Sequence, residues 1–83
     1  MAIEIIKFSG KSCGNCVAQK KILDQIQEER PDVTVTVYDV AEHRDLADQY
    51  GVTALPTMII MKNGAEVAKL VGLKPKGLVT KAF

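Results

Sequence analysis

The sequence predicts an α/β domain with element order β-α-β-α-β-β-α, a central mixed four-stranded sheet flanked by helices. Three observations carry this reading. Apolar runs of strand length alternate with helical patterns along the first half of the chain. An Asn-Gly turn, Asn63-Gly64, separates two further apolar runs and reads as a hairpin. The first two strands are joined through a long helix, so they are expected to be parallel with a right-handed crossover. At 83 residues the chain is expected to form one domain, spanning 1–83.

The elements follow in order. Residues 3–8 form a buried strand of β-branched isoleucines ending at Phe8, interrupted only by Glu4 and Lys7. Ser9 to Ser12 form a loop. A helix is expected from Cys13 to Glu29, with Ala18, Ile22, Leu23 and Ile26 on its apolar stripe. Pro31 ends it, because the residue before a proline is disfavoured from helical geometry. Val33 to Tyr38 alternates β-branched apolar and polar residues, a strand with one side more buried, and Asp39 closes it. Ala41 to Tyr50 reads as a short helix with Leu46, Ala47 and Tyr50 inward and Gly51 as its left-handed terminal residue. Met58 to Met61 and Glu66 to Val71 are the hairpin strands, and Lys74 to Phe83 a last helix with Leu78, Val79 and Phe83 as its core contacts.

Cys13-Gly14-Asn15-Cys16 is the chemically informative stretch, holding the only two cysteines. A Cys-x-x-Cys pair at a strand-to-helix turn is the pattern of a dithiol redox site. A helix N-terminus presents unpaired N–H groups and about half a positive charge, which lowers the pKa of a thiol placed there from about 8.5. Cys13 then attacks a substrate disulfide, and Cys16, one turn further in and shielded, attacks Cys13 to release reduced substrate. Gly14 keeps the turn small, and Asn15 offers a polar side chain.

Other readings of the pair stand beside this one. Zinc requires three or four ligands, and only His43 remains to supplement the two cysteines; a zinc or iron–sulfur site shared between two chains meets the count. Two buried inert thiols are a third reading, against which the polar neighbours Lys11, Ser12 and Asn15 argue. His43 itself reads as a solvated helix-start residue. Net charge is +1, which points to neither nucleic acid nor a membrane surface. The chain shows no leader pattern and no membrane-spanning run. A cytoplasmic location is therefore expected, where a cysteine pair is more often catalytic than structural.

Three separated features resemble the thioredoxin family at minimal, glutaredoxin-like size: Phe8 with Cys13-Gly14-Asn15-Cys16; Tyr50-Gly51-Val52 leading into Leu55-Pro56-Thr57; and Lys62-Asn63-Gly64 with Val71-Gly72. With the elements between them they cover almost the whole chain. The resemblance implies a thioredoxin-like fold, a monomer that reduces protein disulfides, and no bound cofactor. Electrons would come from an NADPH-dependent flavin enzyme of the thioredoxin reductase kind. It also implies a cis Leu55–Pro56 bond packed against the cysteines, a Leu55 backbone that pairs with an extended substrate strand, and room for substrate at Gly72.

Departures from the family pattern are as informative. Ser12 stands where a tryptophan is usual, Asn15 where a proline is usual, and Lys7 where a buried aspartate is usual; Val35 replaces the lysine that accompanies that aspartate. A cationic Lys7 would favour thiolate by attraction, or its amine would reach the surface and do nothing. A glutaredoxin-like use of glutathione is the runner-up, with Lys11, Lys74 and Lys76 as possible carboxylate contacts. The proline-aromatic pair and the Gly-Gly-x-Asp element of that family are absent. A non-catalytic binding module of the same fold is the remaining alternative.

Overall fold

The computed structural model describes residues 2–83. Strand β1 (Ile3–Ser9) leads into helix α1 (Gly14–Glu29), followed by β2 (Val33–Asp39), α2 (Arg44–Gln49), β3 (Thr57–Lys62), β4 (Ala65–Val71) and α3 (Lys76–Lys81). The sheet order is β2-β1-β3-β4. β1 and β2 are parallel, while β3 runs antiparallel to both β1 and β4. This is the expected β-α-β-α-β-β-α order with a mixed four-stranded sheet.

The alternation of side chains along β1 and β3 divides the core into two layers. Ile3, Ile5, Met58 and Ile60 face α1 and α3, packing with Leu23, Ile26, Val33 and Val79. Ile6, Phe8 and Ile59 face α2 and pack with Ala47, Leu46, Tyr50 and Val52. β1 and β3 are therefore covered on both faces, which explains their nearly continuous apolar sequence. β2 and β4 are the edges; Val37 and Val67 on them are half exposed.

The hairpin turn has positive φ at Asn63 (+53°) and Gly64 (+83°), the backbone that an Asn-Gly pair favours. Gly51 ends α2 with φ +66°. β4 carries one extra residue where the pairing shifts between Ile60 and Met61.

Four expectations are corrected. α2 starts at Arg44 rather than Ala41, because Asp39 accepts from the backbone N–H groups of Glu42 and His43 and its side chain from that of Ala41, holding 39–43 as a turn. α3 starts at Lys76, with Pro75 as the residue before its first turn. Leu78 is exposed, and Val79 alone of that helix is fully buried, with Phe83 packed at the core's edge under Arg30. The buried stripe of α1 is Cys16, Gln19, Leu23 and Ile26; Ala18 and Ile22 lie at its margin.

Candidate active site

The site forms where the C-terminal end of β1 runs into α1. Between them Ser12 adopts φ +58°, a left-handed conformation uncommon for a residue with a side chain. The turn delivers Cys13 to the N-cap of α1 in extended geometry, and Cys13 Sγ accepts the Cys16 backbone N–H at 3.1 Å. The sulfur thus satisfies one of the otherwise unpaired donors of the first turn. Cys13 and Cys16 form a disulfide, with their Cα atoms 5.2 Å apart. Cys13 is part-exposed, whereas Cys16 is only 2% exposed. Gly14 and Asn15, between them, are exposed.

Among the described residues no group of three His, Cys, Asp or Glu side chains is placed to hold a metal. His43 precedes α2, edge-on to the Tyr38 ring at 4.8 Å between centroids. The exposure of Cys13 excludes a pair of sealed thiols.

Leu55, Pro56 and Gly72 come to the same end of the sheet. Phe8 pairs in register with Thr57, so the segment before β3 lies beside the loop leaving β1. Leu55–Pro56 is cis, and Pro56 is buried. The Gly72 N–H donates to the Pro56 carbonyl at 2.8 Å, which ties the end of β4 to the proline. Gly72 has φ +87°.

Lys7 is buried, only 2% exposed, and its Nζ donates to the Cys16 carbonyl at 2.7 Å. Of the two readings of Lys7, the one in which its amine reaches the surface is thereby overturned. Burial pushes its pKa below the usual lysine value; repulsion from Lys20 adds to this and attraction to Asp24 opposes it. Behind the cysteines, Lys7, Cys16, Val17, Lys20 and Val37 line an open, largely apolar hollow of about 490 Å³.

Two residues of the site were not legible in the sequence. Gln19, fully buried, accepts the Lys74 N–H at its Oε1 (2.7 Å) and donates from Nε2 to the Lys74 carbonyl (3.1 Å). It thereby fixes the turn after Gly72 to α1. Its helix position beside Leu23 and Ile26 was the only available signal, and a glutamine there reads first as a solvated residue. Gly10 is the other: a Cβ there would stand 2.8 Å from Leu55 Cδ1, so the loop packs directly against the Leu55 side chain, which a larger residue would push aside.

A part-exposed cysteine at a helix N-terminus, bonded to a buried partner three residues on and carried by this βαβαββα fold, defines a thiol–disulfide oxidoreductase. The thioredoxin family model matches residues 2–82. The chain is 37% identical over 76 residues to the thioredoxin of Chlamydia pneumoniae, covering 92% of this chain and 74% of that one. It is 35% identical over 75 residues to the thioredoxin of Bacillus subtilis, covering 89% and 72%. Oxidised mitochondrial thioredoxin 3 from Saccharomyces cerevisiae superposes with a TM-score of 0.87 at 31% identity, over 96% of this chain and 76% of that one. The chain belongs to the thioredoxin family, and it is a protein disulfide oxidoreductase. The family carries no prosthetic group, and its substrates are protein disulfides.

Proposed function

We propose that this protein reduces protein disulfides with Cys13 as nucleophile and Cys16 as resolving thiol. The observation that carries the assignment is the asymmetry of the pair: Cys13 is part-exposed at the cap and Cys16 is buried. A thiolate at Cys13 keeps the Cys16 N–H as a donor and lies at the positive end of α1, so it is stabilised where a substrate sulfur can reach it. Attack on a substrate disulfide forms a mixed disulfide with Cys13 and expels one substrate thiolate. Attack by Cys16 on Cys13 then closes the internal disulfide and releases the second.

Substrate docks, in this reading, across Gly14, Asn15, Leu55, Pro56 and Gly72. Val71 and Leu73, on either side of Gly72, are both exposed apolar side chains, which supports a protein rather than a small polar substrate. The Leu55 backbone pairs with an extended substrate segment in β-strand fashion. The electron donor is an NADPH-dependent flavin reductase of the thioredoxin reductase kind. The working unit is a monomer, and a Cα radius of gyration of 11.8 Å supports one compact domain, since a single domain of this length has about 12 Å. The cytoplasm, where thiols are kept reduced, suits this activity.

Reduction of insulin by dithiothreitol, followed as turbidity, tests the assignment. The wild type accelerates it and Cys13→Ser abolishes the acceleration, while Cys16→Ser accumulates mixed disulfides with targets. An active Cys13→Ser protein rejects the nucleophile. Supplying NADPH with thioredoxin reductase, or glutathione with its reductase, identifies the donor; turnover only with glutathione replaces the proposed one.

A further inference from the structure

Lys7 is a buried lysine without an ion-pair partner among the described residues. Its one hydrogen-bond acceptor, the Cys16 carbonyl, is neutral. The ionisable groups acting on it are Lys20 and Asp24 of α1, and these pair with each other at 2.9 Å. Across the sheet its register neighbours are Val37 on β2 and Met58 on β3, both apolar. An ammonium in such surroundings is costly, because its side chain is lifted out of bulk water and the one carboxylate that attracts it, Asp24, is already paired with Lys20.

The redox reaction creates the missing charge. In the disulfide both sulfurs are neutral. Reduction by an incoming dithiol adds two electrons, breaks the Cys13–Cys16 bond and closes the donor's own disulfide. One of the donor's protons remains on Cys16 as the thiol, the other goes to solvent, and Cys13 is left as thiolate. Lys7, Cys13 and Cys16 line one hollow whose walls include Val17 and Val37, and the Lys7 amine is held on the carbonyl of Cys16 itself, so a thiolate formed on the pair faces the same hollow as the ammonium.

We propose that Lys7 is the built-in counter-ion of the reduced site, compensated only when Cys13 carries its thiolate, and so a positioning charge that biases the pair toward the reduced form. The inference rests on the reading that Cys13 and Cys16 cycle. Linkage makes it reciprocal: if the ammonium lowers the Cys13 pKa, the thiolate raises that of Lys7 by the same amount. The family's usual carboxylate at this position would act with the opposite sign.

The test equilibrates wild type and Lys7→Met with glutathione and glutathione disulfide at pH 7, reading the reduced fraction by alkylation. Lys7→Met is expected to lose about tenfold in the equilibrium constant for reduction, equivalent to about 30 mV. Its Cys13 pKa, from alkylation rate against pH, rises by about one unit. In wild type, NMR titration of the Lys7 ε-methylene gives a higher pKa in the chemically reduced protein than in the oxidised one. Packing alone would move none of these readouts together. Equal equilibrium constants and equal Cys13 titrations overturn the proposal, as does a Lys7 pKa identical in the two redox states. The NMR comparison decides it if Lys7→Met does not fold. Failure of insulin reduction with these shifts intact would instead reject only the functional reading.

Discussion

The two ends of the sheet are held by different forces. At the end away from the cysteines, Ile3, Leu23, Ile26 and Val33 pack together in one apolar cluster. At the cysteine end sit Lys7, Gln19 and Thr57, the buried polar side chains of the described core. Each bonds to the backbone of a different segment bordering the site: Lys7 to Cys16, Gln19 to Lys74, and Thr57, donating at 2.6 Å, to Ala54. Apolar burial is non-directional and holds layers together. Hydrogen bonds have direction and hold loops in place, at the cost of burying polar groups. One end therefore carries stability and the other carries geometry.

That contrast breaks or sharpens under substitution. The largest effect is expected at the apolar end. Leu23→Ala should lower unfolding free energy by about 2–5 kcal/mol in denaturant titration, leaving insulin reduction per folded molecule unchanged. A matching loss of specific activity would dissolve the distinction between the ends. Gln19→Ala should cost about 1–3 kcal/mol by removing both hydrogen bonds to the half-buried backbone of Lys74. Unlike Leu23→Ala, it should also raise KM for a protein disulfide severalfold, because the turn after Gly72 is no longer tied to α1.

A smaller effect concerns Lys7 and pH. Its native pKa lies below the ordinary value of 10.5, so between the two the unfolded chain binds more protons. Stability of the oxidised wild type should therefore rise with pH through that window, relative to Lys7→Met, and be least favourable below it. Urea titrations of both oxidised proteins from pH 7 to 10 measure this; a gap independent of pH contradicts it. The smallest effect is at the surface. Glu29→Gln removes the Lys76–Glu29 ion pair between α1 and α3, and should change stability by less than about 0.5 kcal/mol, vanishing in high salt.

Legibility in the sequence follows the same division. Strand and helix positions were readable wherever a period or a turn residue carried them: the isoleucines of β1, the Val-Thr alternation of β2, Asn63-Gly64 and Gly51. Helix starts were less so. α2 begins three residues later than its composition suggests, because Asp39 spends its hydrogen bonds on a turn. Cys13 and Cys16 were readable as a pair because the spacing itself places two sulfurs one turn apart. Lys7 was readable only as an anomaly in an apolar run, and whether its amine turned inward depended on what α1 laid over it.

The order of elements, the parallel first pair of strands, the hairpin and the location of the dithiol at a helix start were determined by the amino-acid sequence itself, because each depends on local periodicity, backbone preference or residue spacing. The tertiary structure alone decided that Gln19 faces inward to clasp Lys74, that Gly10 and Leu55 meet, and that the Lys7 amine ends on the Cys16 carbonyl. Those contacts join residues up to 55 positions apart. No local preference encodes them; they exist because packing brings the elements together and leaves each buried polar group one partner within reach.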